Sequence, residues 1–212
     1  MSRNYEAHLE DRRHDIDGVI DWRWLRGDNG AWDGPKNDWV TSHKARYFEH
    51  VKKFDVVIQA GGNCGMYPRL FAQYFKWVYT FEPDPLNFFN LVINNQLDNV
   101  VKFQAALGDV HGMVEIHRHS MSNVGMHQVH ANPGAHIPQL RIDDLALADC
   151  DLIQLDIEGY EIFALKGAVE TITKFRPVVV CEKPTDEVNK FFLKHKYEPA
   201  STSHMDTIYK PL

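Results

Sequence analysis

From Asp55 onward, short apolar runs alternate with stretches whose apolar residues recur at helical spacing. The runs "DVVIQA", "WVYTFEP", "NVVKFQAAL", "CDLIQLDIEG" and "PVVVCE" predict strands. The stretches "PRLFAQYF", "PLNFFNLVINNQ", "YEIFALKGAVETITKF" and "TDEVNKFFLKH" predict helices, the first with Pro68 in its opening turn, where a missing N–H does no harm. Strands that are apolar throughout and separated by helices point to an α/β fold: a mostly parallel, doubly wound sheet covered on both faces. The tail "YEPASTSHMDTIYKP" predicts two short strands and a turn, an antiparallel pair at the sheet edge. Between Gly108 and Arg141 the rhythm breaks: "MVEIHRH" alternates like an exposed strand, and "HANPGAHIP" reads as loop. Before Asn37, "GVIDWRWLRGDNGAWDGPKND" has no clear period and reads as an irregular arm, followed by a predicted helix over "WVTSHKARYFEHVKKF". These divisions give a Trp-rich arm and helix over 1–52 and a ligand-binding domain over 53–212.

The 212 residues, 44% of them hydrophobic, suffice for a packed core. The formal charge of -6 is spread along the chain without a basic stretch, so the expected partner is a small or neutral molecule and not nucleic acid. Three cysteines without metal spacing suit a reducing compartment. The polar start is no signal peptide, and no apolar run is long enough to span a bilayer, so the expected setting is cytoplasmic and off the membrane.

In open α/β sheets, ligands bind beyond the carboxyl ends of the strands. The first predicted strand ends in "QAGGNCG", where Gly61 and Gly65 let the backbone turn and approach a ligand, and the amides opening the next helix suit an anionic group. The second ends in "FEPDP", with Glu82 at the spacing of an acid that binds ribose hydroxyls. The loop is Gly-x-Asn-x-Gly and lacks the pyrophosphate fingerprint of dinucleotide sites. An adenosine ligand without a diphosphate fits, which means S-adenosylmethionine.

The blocks "VVIQAGGNCGMY", "TFEPDPLNFFNLVINNQ", "FQAALGD", "LRIDDL", "LIQLDIEGYEIFALKGA" and "RPVVVCE" stand in the order and spacing of the FkbM-like methyltransferases, a family this sequence resembles over roughly residues 53 to 183. The resemblance implies a class I methyltransferase (Rossmann-like) fold, S-adenosylmethionine as donor, and transfer to a hydroxyl of a sugar or small natural product. It implies that Gly61, Asn63 and Gly65 line the methionine part of the donor, with Gln59 as a neutral contact in the donor site. Glu82 would take the ribose, Ala105, Ala106 and Leu107 would lie beside the adenine, and Asp156 would face donor or acceptor. Two positions depart from the family: Gln59 stands where an acid is usual and Gln154 where a Lys is usual. If the first and fourth strands are neighbours, as the family implies, these two amides should meet and bond each other.

Asp156 and Glu158 share a strand face, and Glu182 ends the next strand, so these three carboxylates are the candidate bases for a hydroxyl proton. The segment "SMSNVGMH" lies where the family has a small polar loop, so the resemblance implies that Asn123 and Gly125 border the acceptor pocket. His111, His117, His119, His127, His130 and His136 lack the helical spacing and the Cys partners of a zinc site, so no metal is expected; they read as a polar insertion near the site mouth. Trp22, Trp24, Trp32 and Trp39 read as packing residues of the arm, with Trp22 or Trp24 as a candidate acceptor wall. Two alternatives stay open: a non-catalytic binding module, which Gln59 supports, and a small NAD(P)-dependent oxidoreductase, against which the glycine spacing and the missing second lobe argue.

Overall fold

The computed structural model describes residues 5–16, 19–28, 45–118, 126–132, 135–203 and 205–212. The chain opens with a hairpin, β1 (Leu9–Ile16) and β2 (Val19–Leu25), which pair antiparallel. The arm that lacked a clear period is therefore regular in this part. Its signal is the alternation of Trp22, Trp24 and their neighbours, which the dense Gly and Asp that follow obscure. Of the helix expected from Trp39 onward, residues 45–48 are helical and residues 51–54 are not; residues 39–44 lie outside the described residues.

A seven-stranded sheet forms the centre. Its strands are β3 (Val56–Ala60), β4 (Trp77–Phe81), β5 (Val100–Phe103), β10 (Leu152–Leu155), β11 (Val178–Glu182), β12 (Tyr197–Ser203) and β13 (Asp206–Pro211), in the order β12-β13-β11-β10-β3-β4-β5. Five strands are parallel, and β13 runs antiparallel to both β11 and β12. Strand order moves outward in one direction from β3 to β5 and in the other from β10 to β11. The switch point lies between β3 and β10, and the crevice beyond their carboxyl ends is where such sheets bind ligands.

Both faces of this sheet are covered, which is why its strands read as apolar throughout. Ile58, Ala60, Ile153, Leu155, Val179 and Cys181 face one side. They pack against α3 (Glu161–Lys166), α4 (Val169–Phe175) and α5 (Asp186–Lys194). Val57, Val78, Leu152, Val178 and Val180 face the other side with Tyr47 and with Phe71 of α1 (Met66–Phe71). The single helix expected over "YEIFALKGAVETITKF" is two, parted at Gly167, where a Cβ would lie 2.0 Å from the Gly108 carbonyl oxygen. That close approach of two backbones holds the break.

"NVVKFQAAL" also splits. After β5 the chain bends and Ala106–Leu107 (β6) joins a second, four-stranded sheet with β7 (Gly112–His117), β8 (Gln128–Ala131) and β9 (Ile137–Leu140), in the order β6-β9-β7-β8. The helix α2 (Pro85–Asn94) starts cleanly because Asp84 accepts from the Leu86 and Asn87 amides and Pro85 holds the first position. Trp22 and Trp24 join Leu9, Leu25, Leu70 and Leu86 in one apolar cluster, which seats the hairpin on α1 and α2. The Asn94 side chain then accepts from Arg23 N (2.7 Å) and donates to Arg23 O (2.6 Å), occupying the edge of β2.

Candidate active site

The loop that leaves β3 is tied down from several sides. The amides of Gly61 and Gly62 both donate to the Phe81 carbonyl, at 3.1 and 3.0 Å. The Asn63 amide donates to Glu82 Oε2 at 2.7 Å. The Asn94 and Asn95 side-chain amides donate to the carbonyls of Cys64 (2.6 Å) and Gly65 (2.9 Å). Gly61 and Gly65 have φ of 82° and 92°, and Asn63 adopts φ 46°. The helix that follows, α1, spans only six residues and has no side-chain cap. The Asn63 side-chain oxygen is buried with no hydrogen-bond partner.

Glu82, at the end of β4, is 5% exposed and accepts from Asp84 N at 2.8 Å as well as from Asn63 N. Burial pushes its carboxyl up to about 7, against the two backbone amides, which favour the charged form. Each carboxylate oxygen keeps a second lone pair for a ligand hydroxyl. Asp84 was missed in the sequence beyond the turn it belongs to, although Asp before Pro is a helix-start signal. Its carboxylate is fully buried and bound by Arg118 through two nitrogens (2.5 and 2.9 Å) and by His127 Nδ1 (3.1 Å). Burial alone would raise its pKa, but the hydrogen bonds from His127 and Arg118, the Arg118 charge and the cap amide outweigh it and hold the group below the usual carboxylate range. Residues from the end of β7 and the start of β8 are thereby brought to the end of β4.

Gln59 does not line this loop as expected. It is wholly buried; its Oε1 accepts from Thr80 Oγ1 at 2.6 Å and its Nε2 donates to Gly61 O at 2.9 Å. It supports the turn from beneath, and a charged acid there would lose the donor to Gly61 O. Gln154 is its partner in the β3–β10 register, so the two departures are indeed neighbours. They do not bond each other as expected: Gln59 is engaged elsewhere, and Gln154 Oε1 is buried without a partner. We expect Gln59→Glu to lower stability by about 1–3 kcal/mol through the unsatisfied Gly61 oxygen and the buried charge. Adding Gln154→Lys should recover part of this in a denaturation double-mutant cycle; additive changes would mean the sites are uncoupled.

Asp156 follows β10, Glu182 ends the adjacent β11, and Glu158 lies two residues past Asp156. The carboxylate oxygens of the three approach within 4.8 Å of one another, close enough to share a proton or a cation. Burial drives Asp156 well above the aspartate range, and the charge and hydrogen bond of Glu182 add to it. Asp206 is the register partner of Glu182 and accepts from the Tyr47 hydroxyl. It brings a fourth carboxylate that the sequence reading missed. Lys183 sits 2.9 Å from Glu182 and 3.9 Å from Glu158. Glu158 and Lys183 adopt φ of 52° and 42°. With Asn63, three non-glycine residues just past the ends of β3, β10 and β11 are thus left-handed. Such strain costs of order 1–3 kcal/mol each and gathers at functional sites.

The loop after β3 and the acid cluster touch. Asp156 N donates to Ala60 O at 3.1 Å, and a Cβ on Gly61 would fall 1.9 Å from the Asp156 carbonyl oxygen. Ala105, Ala106 and Leu107 are buried where the chain passes from one sheet to the other, just after Phe103, whose carbonyl accepts from Glu82 N. Trp22 and Trp24 are 2% and 4% exposed; Trp24 Nε1 donates to Asp28 and the Arg69 guanidinium lies over Trp22. Both pack the hairpin onto α1 and α2. Asn123, Gly125, His119, Trp32 and Trp39 lie outside the described residues. His111 pairs with Asp144, and His117 pairs with Glu115 and lies 4.5 Å from the His130 ring.

The family model of the methyltransferase FkbM domain matches residues 63–206. No curated protein matches the chain. Among solved structures it is similar to an FkbM methyltransferase from Methylobacillus flagellatus KT, at 18% identity and a TM-score of 0.53 over 74% of this chain. The chain spans 43% of that protein's length. It is similar also to Trm5b from Pyrococcus abyssi, at 13% identity and a TM-score of 0.52, covering 99% of this chain and 56% of that one. Likeness at these identities shows the fold, the class I methyltransferase fold. Among the described residues, no helix is long and apolar enough to cross a membrane.

Proposed function

We propose that this chain, which belongs to the FkbM methyltransferase domain family, transfers a methyl group from S-adenosylmethionine to a hydroxyl of a sugar or small natural-product acceptor. The observation that carries the reading is the contact of the β3 loop with the Asp156 backbone, which puts a donor loop and a carboxylate cluster in one crevice. The residues fit the donor. Glu82 offers a carboxylate at the ribose position, and the unpartnered Asn63 oxygen is an acceptor in the loop that would hold the methionine end. Bound S-adenosylmethionine supplies a methyl carbon already activated by its sulfonium.

This chain's residues orient the acceptor, exclude water and take its proton. Burial and the neighbouring Glu182 carboxylate raise the pKa of Asp156. That raised basicity suits Asp156 to accept the proton of the acceptor hydroxyl. Lys183 balances charge at Glu182, and Glu158 stands at the outer side of the cluster. Gln59, the one residue that favoured a non-catalytic module, is packed inward and supports no such reading.

Titration calorimetry with S-adenosylmethionine and NADH tests the reading: binding of the first alone is expected, and binding of neither or of NADH overturns it. Glu82→Ala should weaken donor affinity by about 1.5–3 kcal/mol, the worth of a hydrogen bond to a charged group. Glu82 also predicts two opposed pH trends. Its folded pKa is raised from 4.5 to about 7, so its contribution to stability is complete below 4.5 and is lost as pH rises through about 7. Donor affinity, which needs the carboxylate, should instead rise between pH 6 and 8 (roughly one unit either side of that value), and Glu82→Gln should flatten this profile. An identical profile in the variant would remove Glu82 from the donor site.

A further inference from the structure

The Glu82 carboxylate is aimed by backbone amides. Asn63 N donates to its Oε2 at 2.7 Å and Asp84 N to its Oε1 at 2.8 Å. An amide keeps its aim only as well as its own residue is held. Asp84 is held through its side chain. Its Oδ1 accepts from Leu86 N at 2.8 Å and Asn87 N at 3.4 Å, which fixes the turn into α2. Arg118 donates to the same carboxylate through Nε (2.5 Å) and Nη2 (2.9 Å), a two-pronged bond that sets position as well as charge. His127 Nδ1 lies 3.1 Å from Asp84 Oδ2.

Arg118 and His127 both belong to the small sheet. They stand just beyond His117 and Gln128, which face each other in the register of β7 and β8. The small sheet thus grips the end of β4 through one carboxylate. The grip also manages charge. The Asp84 side chain is 1% exposed, and a buried carboxylate without a cation is costly. It also stands two residues from Glu82. Burial is the largest cause of the raised Glu82 pKa; the Asp84 amide opposes it and the Asp84 charge adds to it. Arg118 offsets that charge from the side of Asp84 that its guanidinium covers.

Resting on the donor reading above, we infer that Arg118 is a positioning residue for ribose recognition: by gripping Asp84 it holds the Asp84 amide on Glu82, and so aims the Glu82 carboxylate at the two ribose hydroxyls of the donor. Arg118 acts through Asp84, and a residue of the small sheet thereby sets how well the large sheet reads the ribose.

The test uses the full chain and two probes, S-adenosylhomocysteine and its analogue lacking both ribose hydroxyls. Each is titrated by calorimetry at about pH 8, above the Glu82 value of about 7. The unaltered protein should favour the first probe by about tenfold or more, the low end for hydrogen bonds to a charged group. Arg118→Gln should lower affinity for the first probe by about tenfold and leave the second unchanged, so that the preference is lost. Arg118→Lys keeps the charge without the two-pronged bond and should fall between. A merely structural role would weaken both probes alike. The inference is overturned if Arg118→Gln and Arg118→Lys keep the parent preference, whatever happens to Tm, or if the unaltered protein binds both probes equally. Failure of S-adenosylhomocysteine to bind the unaltered protein would instead overturn the donor reading itself.

Discussion

Gly61→Ala is expected to cost more than about 3 kcal/mol of stability and to abolish donor binding, because clash and backbone strain add at one buried position. The φ of 82° at Gly61 is left-handed, which costs an alanine about 1–2 kcal/mol. The new methyl would also fall 1.9 Å from the Asp156 carbonyl oxygen and 2.9 Å from its carbon. Those are backbone atoms of the chain leaving β10, itself hydrogen-bonded through Asp156 N to Ala60, so neither side can yield without parting the two central strands. Gly159→Ala is the control. Its φ of 97° brings the same strain, but nothing lies within 4 Å of the added methyl. Urea denaturation should show a far larger loss for Gly61→Ala than for Gly159→Ala. Equal losses would mean that the close approach of loop and strand end is not what the glycine serves.

Asp156→Asn should stabilise the protein at neutral pH while lowering the methyl-transfer rate by about 10²–10⁴-fold, the usual worth of a positioned base. The two effects have one origin. The folded state raises the Asp156 pKa, through burial first and Glu182 second. Such a group favours folding most below its unfolded pKa, and that contribution is lost as pH rises from the ordinary aspartate range toward the folded value. Ionising Asp156 in the folded protein is therefore costly. An amide removes that cost, and with it the basicity of Asp156. Thermal unfolding across pH should show a smaller decline in the variant from mildly acidic to neutral pH, and single-turnover methyl transfer should show the slower step. A variant that loses stability, or transfers at the parent rate, would take Asp156 out of the proposed base.

The central sheet was legible because its strands are covered on both faces. Burial demands apolar residues at every position, and β3, β10 and β11 announce themselves as "VVIQ", "LIQL" and "VVVC" without a partner having to be known. Helix starts were legible where the cap is local, as at Asp84–Pro85 and Thr185. The N-terminal hairpin and the split of β5 from β6 were not. Their strands are fixed by what lies across from them: Asn94 at the edge of β2, and β9 beside Ala106 and Leu107.

The same division runs through the site. Glu82, Gly61 and the acids after β10 and β11 stand at strand ends, and strand ends follow from chain order and hydrophobic period alone. Which groups a side chain meets once there does not. The chain holds 29 Asp and Glu residues, and nothing local distinguishes Asp206, which reaches the cluster only because β13 turns back antiparallel onto β11. Arg118 and Asp84 are 34 residues apart, and their pairing depends on how the small sheet sits against β4. Gln59 shows the limit most directly. Its place at the end of the first parallel strand was set by the sequence pattern, yet whether it faced a ligand or the interior depended on the β3–β4 register, which sets Thr80 directly opposite it, within reach of its amide oxygen. Period and length are local properties of the chain, whereas the partner of a buried polar atom is settled by whichever distant strand closes over it.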